Sequence, residues 1–374
     1  MLNQNETIHQ VLSDLYHPKL GCALNDKQVL SSAHATESGD ITLAFLDRPG
    51  SSAIRDLQPA IETALFEHDW VQSLDIQLSL TPMATGQYRD GLSHVGHVIA
   101  VSSCKGGVGK STMALHLASA LQQQGAQVGL FDADIHGPSL PTLVSPTQMA
   151  STTSDTYLPP FLNHHIKLMS YGYIQDQVNQ PAILRGPIAS NMFKQLLFNT
   201  DWGVLDYLIV DCPPGTGDIM LSLTQEVPLS GAIVVTTPHE LSYVDVKKGI
   251  EMFRTTHVPV TAIIENMSYF SPPDSDERYH IFGHGRLMPI VREYGIPHWS
   301  QVPIDATISS YNQPSIPYLF NDPTPDMRTT FSALANHVAW HVPTHPIESD
   351  LCMTHDNDTQ QVSITQNGSQ TNVP

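Results

Sequence analysis

At 374 residues the chain is too long for one average domain, and with 41% hydrophobic and 14% charged residues it can bury an ordinary core. Seventeen basic against 36 acidic residues leave a net charge of −19, which repels phosphate backbones and anionic lipid, so neither nucleic acid nor a membrane is expected as a partner. Four scattered cysteines (22, 104, 212, 352) make no disulfide framework, the N-terminus lacks signal or transit character, and no apolar run reaches a membrane span of ~18 residues; a cytoplasmic protein is expected.

The chain divides by texture into four parts. Residues 1–82 open with an amphipathic helix whose Ile8, Val11, Leu12 and Leu15 share a face, followed by a turn at 17–21. An alternating strand near Ile41–Leu46, a helix from about Ser52 to Phe66 and a strand near Leu74–Leu80 complete a small α/β domain. Residues 83–95 are polar, contain glycine and read as a linker. From 96 to 341, short β-branched runs (VIAVSS, VGLFDAD, YLIVDCPP, AIVVTTP, VTAIIENM) alternate with helical stretches. Such runs imply strands buried on both faces, hence a doubly wound, mostly parallel α/β sheet. Residues 342–374 are rich in Thr, Gln, Asn, Asp and Ser and read as a disordered tail.

The chemistry concentrates where the first long strand ends. Ser103 leads into Cys104, Lys105, Gly106, Gly107, Val108, Gly109, Lys110, Ser111 and Thr112, and the helix MALHLASALQQQ follows, closed by Gly125. A strand, a glycine-rich turn, Lys-Ser and a helix form the context in which a phosphate-binding loop is credible. Glycines let backbone N–H groups approach phosphates, with the helix N-terminus behind them. Lys110 is expected on the β- and γ-phosphates and the Ser111 hydroxyl on Mg²⁺. The usual first glycine is replaced by Cys104, which taken alone would leave a glycine-rich helix cap as the competing reading.

Three later segments strengthen the phosphate-loop reading. FDADIHGPSLP places Asp132 and Asp134 where carboxylates can hold a magnesium shell and orient water, or where Asp134 simply caps a helix. YLIVDCPPGTGD ends a strand in Asp211, a metal-shell acid, before a loop able to sense the γ-phosphate. IIENMS ends a strand in Asn266, which either reads an adenine edge or serves as a turn asparagine. ATP and Mg²⁺ are the expected ligands.

Together with ILRGP, VVTTPHELSYVDVKKGIEMF, ENMSYF, IFGHG and YGIPHWSQVPID, these segments resemble the Mrp/ApbC family of deviant P-loop ATPases, in particular its chloroplast-type scaffold branch. The first region is similar to the PaaD/SufT-like domain that often precedes this ATPase. The resemblance implies a MinD/ParA-like P-loop fold and an ATP-hydrolysing homodimer that carries iron–sulfur clusters to apo-proteins, alongside assembly factors. It implies that Lys105 reaches the partner subunit's nucleotide, that Asp134 activates water, and that Asp211 to Gly217 form a switch.

One departure matters. The family's Cys-x-x-Cys pair falls here on Pro272 and Ser275, and a cysteine of the N-terminal domain falls near Ser51. The chloroplast-type branch also lacks the pair. If a [4Fe–4S] cluster is bound, Cys104 and Cys212 are the candidate ligands, beside the phosphate loop and the switch; alternatively both are small buried residues. His280 and His284 flank IFG as weaker metal candidates. A cluster-free regulatory ATPase of the MinD/ParA type is the competing function.

Overall fold

The computed structural model describes residues 4–18, 21–80, 90–150, 157–178, 186–215, 217–227, 229–272, 277–285, 287–305, 308, 318–320 and 323–342, and three short stretches beyond. The N-terminal unit comprises α1 (Gln4–Ser13), β1 (Leu30–Ala35), β2 (Asp40–Asp47), α2 (Ala53–Phe66) and β3 (Ser73–Leu80). Strand β2 pairs antiparallel with β1 and parallel with β3, with α2 as the crossover. Its alternation is the cause: Ile41, Leu43 and Phe45 point to one side and are buried against Ile8, Leu12, Ile54, Ile61 and Leu65. The sequence did not announce β1, because LSSAHA offers little apolar alternation; backbone pairing to β2 makes it a strand.

The large sheet carries β4 (Val95–Ser102), β5 (Val128–Asp132), β6 (Gln148–Met149), β7 (Phe161–Asn163), β8 (Ile166–Ser170), β9 (Leu205–Asp211), β10 (Gly231–Thr236), β11 (Val260–Glu265) and β12 (His298–Gln301). Their order is β12-β11-β10-β4-β9-β5-β8-β7-β6. From β12 to β8 all pairings are parallel; β7 and β6 add an antiparallel edge. Every residue of β4, β5 and β10 is buried, as strands covered on both faces must be. One face is covered by α3 (Lys110–Gln123) and the last long helix; the other by helices including Gly186–Phe198 and Glu240–Thr255.

From β4 the chain crosses to β5 on one side, and later elements return to β10 on the other. The carboxyl end of β4 is thus a topological switch point, where open α/β sheets bind ligands. The intervening helices, in chain order, are α4 (Leu140–Leu143), α5 (Tyr171–Val178), α6 (Gly186–Phe198), α7 (Asp218–Glu226), α8 (Glu240–Thr255), α9 (Leu287–Tyr294) and α10 (Pro325–His341). Gly125 (φ 92°) closes α3 as expected, with the Ala126 N–H returning to Leu121 O at 3.1 Å.

The two units meet at the opposite, amino end of the sheet. The turn after β2 inserts there: Tyr207 O–H donates to Pro49 O (3.0 Å) and Ser52 N–H to Asn336 Oδ1 (2.7 Å). Trp340 Nε1–H donates to Ser51 Oγ (2.8 Å), and the Arg48 guanidinium lies 4.7 Å from the Trp340 ring centroid. Ser51, the position matched to the family's N-terminal cysteine, is fully buried in this joint.

Most of the stretch read as a polar tail lies outside the described residues. Thr354–His355, Val362–Gln366 and Ser369–Thr371 pair as a small antiparallel sheet. Val, Ile and Thr favour strands.

Candidate active site

The phosphate loop follows β4 and is shaped by its glycines. Gly107 (φ 79°) and Gly109 (φ 83°) adopt left-handed backbone, and a Cβ added at Gly106 or Gly107 would meet nothing within 4 Å. That side of the loop is an open cradle. The other side is braced: Asn266 Nδ2 donates to Val108 O (2.9 Å), and a Cβ at Gly109 would collide with the same amide. Asn266, read either as facing an adenine edge or as a turn asparagine, uses one amide N–H to hold the loop, because β11 ends beside it. Thr112 lies in the first turn of α3, one residue beyond Ser111.

Lys110 is buried and makes a short ion pair with Asp211 Oδ1, while also donating to Ser111 Oγ at 3.3 Å. Burial pushes the Asp211 carboxyl upward, and the Lys110 ammonium against it opposes that. Asp211 Oδ2 is buried and accepts no hydrogen bond among the described residues, although the Ser111 hydroxyl stands beside the carboxylate. An orphaned carboxylate oxygen next to a serine hydroxyl is a hard-oxygen pair suited to Mg²⁺.

Asp132, expected in the magnesium shell, accepts four hydrogen bonds from the chain. Its Oδ1 accepts the Asp134 N–H (3.1 Å), and Oδ2 accepts the N–H groups of Ser139 and Leu140 (3.1 Å each) and the Ser170 hydroxyl (3.0 Å). With four donors on a buried carboxylate, it organises the loop from Asp134 to Leu140. Burial, then the neighbouring Asp211 charge, push it up to about 6. Asp134, half-buried on that loop, accepts the Gly137 N–H (3.0 Å).

Lys105 lies at the outer edge of the cradle and pairs with Asp245 of α8 at 3.2 Å. It borders an open cleft of about 330 Å³ lined by Gly106, Gly107, Val108, Met267 and the exposed Phe282. Asp245 was missed in the sequence, where it lies within VVTTPHELSYVDVKKGIEMF without an assigned role.

The two candidate cysteines differ in their surroundings. β4 and β9 are neighbours as expected, but Cys212 is fully buried in the apolar core, its thiol near Val210 O at 3.5 Å and pushed far above its ordinary value by burial. The Cys104 thiol packs on α8, where a Cβ added to Gly249 would lie 2.5 Å from its sulfur; burial raises it too. A cluster needs thiolates within reach. Cys212 therefore matches the other reading, a small residue filling space, while Cys104 is half-buried against α8. On the loop beyond β11, the His280 and His284 rings lie 4.1 Å apart, with His280 Nδ1 3.1 Å from Ser268 O. Pro272 is part-buried on that loop; Ser275 lies outside the described residues. No group of three or more His, Cys, Asp or Glu suited to a metal occurs among the described residues. No described helix is long and apolar enough to cross a membrane.

Comparison with known proteins agrees with this geometry. Residues 94–339 match the family described as "ParA: NUBPL iron-transfer P-loop NTPase". The chloroplastic Fe-S cluster assembly factor HCF101 of Oryza sativa subsp. japonica is 45% identical over 71% of this chain and 50% of its own length, so the chain spans about half of that plant relative. The iron-sulfur cluster carrier protein of Escherichia coli (strain K12) is 37% identical over 88% of this chain and 89% of its own. A solved nucleotide-binding protein from Archaeoglobus fulgidus, in complex with ADP, is similar at 34% identity and a TM-score of 0.52, covering 68% of this chain and 96% of that one. With the phosphate loop, the switch-point sheet and these matches in agreement, the chain belongs to the NUBPL iron-transfer P-loop NTPase family.

Proposed function

We propose that the chain binds Mg-ATP in the cradle from Ser103 to Thr112, hydrolyses it as a homodimer, and uses that cycle to carry iron–sulfur clusters to apo-proteins. The observation that carries the nucleotide part is the pairing of an open glycine cradle with an orphaned Asp211 oxygen beside Ser111. Ser111 and Asp211 would hold Mg²⁺, which supplies charge neutralisation across the β- and γ-phosphates. Lys110 exchanges Asp211 for the phosphates, where its charge counts most as the transferring group leaves. Asp134 orients the attacking water from a loop held in shape by Asp132. Lys105, exposed on the rim, exchanges Asp245 for the partner subunit's nucleotide, and that exchange favours a dimer only when ATP is present.

The cluster is cargo. Its relatives' names favour transport of iron–sulfur clusters over the cluster-free regulatory reading. With Cys212 fully buried and Cys104 half-buried against α8, the cargo ligands are assigned to groups outside this pair.

Anaerobic reconstitution with iron and sulfide, followed by transfer to an apo-[4Fe–4S] acceptor protein, tests the proposal. Bound iron and sulfide whose transfer rate changes with Mg-ATP support it. A protein that takes up neither, or whose transfer ignores Mg-ATP, contradicts it.

A further inference from the structure

Ser139 immediately precedes α4 and is its N-cap. Serine there ordinarily turns its hydroxyl onto a backbone N–H two or three residues on. Here it makes no such bond. The cap comes from β5 instead, since Asp132 Oδ2 accepts the N–H groups of both Ser139 and Leu140 at 3.1 Å. The Ser139 carbonyl accepts from Thr142 Oγ1 at 2.7 Å. Freed from capping, the Ser139 hydroxyl donates to Ser111 Oγ at 2.7 Å.

We infer that Ser139 is a positioning residue for the Ser111 hydroxyl, fixing it for metal ligation and tying it to the loop that carries Asp134. This rests on the magnesium–nucleotide reading of the phosphate loop. Ser111 Oγ accepts from Ser139 and from Lys110 (3.3 Å), which occupies both of its lone pairs. When Lys110 moves to phosphate, one lone pair is released for the metal while the Ser139 bond keeps the hydroxyl from rotating. A donor that already holds the ligand lowers the ordering cost of metal binding. From Ser139 the connection is continuous: its N–H and that of Asp134 share the Asp132 carboxylate, and Asp134 holds the Gly137 N–H at 3.0 Å. A shift at Ser111 is therefore felt where water would be oriented.

The test titrates Mg²⁺ against a fluorescent, slowly hydrolysed ATP analogue bound to the full chain, in wild type, Ser139→Ala and Ser139→Thr. The Mg²⁺ concentration at half-maximal nucleotide retention should rise about five-fold in Ser139→Ala, the equivalent of one ordinary hydrogen bond. Ser139→Thr should restore it, while affinity in EDTA and the nucleotide-free melting temperature stay near wild type. An unchanged Mg²⁺ dependence in Ser139→Ala, with a Mg²⁺-dependent wild type, overturns the inference. So does an equal loss of affinity in EDTA, which would make Ser139 a structural residue. A wild type that binds nucleotide without regard to Mg²⁺ fails earlier, at the underlying reading, and takes this inference with it.

Discussion

Gly107 and Gly50 have nearly the same backbone, φ 79° and 81°, yet sit at opposite ends of the sheet in opposite surroundings. A Cβ on Gly107 would meet nothing within 4 Å, whereas one on Gly50 would lie 2.7 Å from Leu121 and 3.2 Å from Tyr207. The rest of each end follows suit. At the carboxyl end, Lys110 and Lys105 are held in ion pairs that phosphate can replace, and Asp211 Oδ2 has no hydrogen bond among the described residues. At the amino end, Ser51, Ser52, Asn336 and Trp340 bond one another across the joint. One end is built to receive a ligand and the other to stay closed. A left-handed glycine alone tells the two apart only once its neighbours are known.

The largest expected effect comes from emptying the receiving end. Lys110→Ala should lower ATP turnover by roughly 100- to 1000-fold, about 3–4 kcal/mol of lost transition-state stabilisation, read by phosphate release. It should also lower the melting temperature of the nucleotide-free protein, because Asp211 is left buried without its cation. Lys110→Ala combined with Asp211→Asn should recover the melting temperature but not the turnover. Recovery of both would make the ion pair structural and break the comparison.

A smaller effect is expected at the closed end. Trp340→Ala removes a ring that bonds Ser51 and stacks under Arg48, and should destabilise the fold by about 2–4 kcal/mol in denaturant unfolding. Nucleotide affinity should stay within about two-fold, a change below 0.5 kcal/mol. A loss of affinity in step with stability would mean that α3, which runs from the phosphate loop to this joint, couples the two ends. The smallest effect is expected between them. Cys104→Ser with Cys212→Ala should leave reconstituted iron and sulfide unchanged, since the Cys212 thiol is fully buried and the Cys104 thiol is half-buried against Gly249. Loss of iron in that variant would restore them as ligands.

The sequence was informative where local chemistry decides. Five of the seven parallel strands, β4, β5, β9, β10 and β11, read as apolar runs, whereas β8 and the short edge strand β12 (HWSQ) did not, and Lys110, Ser111 and Asp211 lie together at the end of the sheet. It was silent where distant partners decide. Asp132 looked like a metal ligand because acidic residues at strand ends often are, but Ser170 and the backbone beyond Gly137 engage it, and only folding brings them there. Cys104 and Cys212 looked like a ligand pair because their strands are neighbours; the space left by Gly249, 145 residues downstream of Cys104, receives one thiol instead. Ser139 lay inside a quoted motif with no role, its signal being a capping serine before Leu140 that does not cap.

The central claim, that the carboxyl end of β4 is a magnesium–nucleotide site, is tested most directly by calorimetric titration of a slowly hydrolysed ATP analogue into the wild-type chain, with Mg²⁺ and with EDTA. The account predicts saturable binding that tightens when Mg²⁺ is present, as the orphaned Asp211 oxygen and the Ser111 hydroxyl gain their ligand. Absence of binding, or the same affinity with Mg²⁺ and with EDTA, would contradict it.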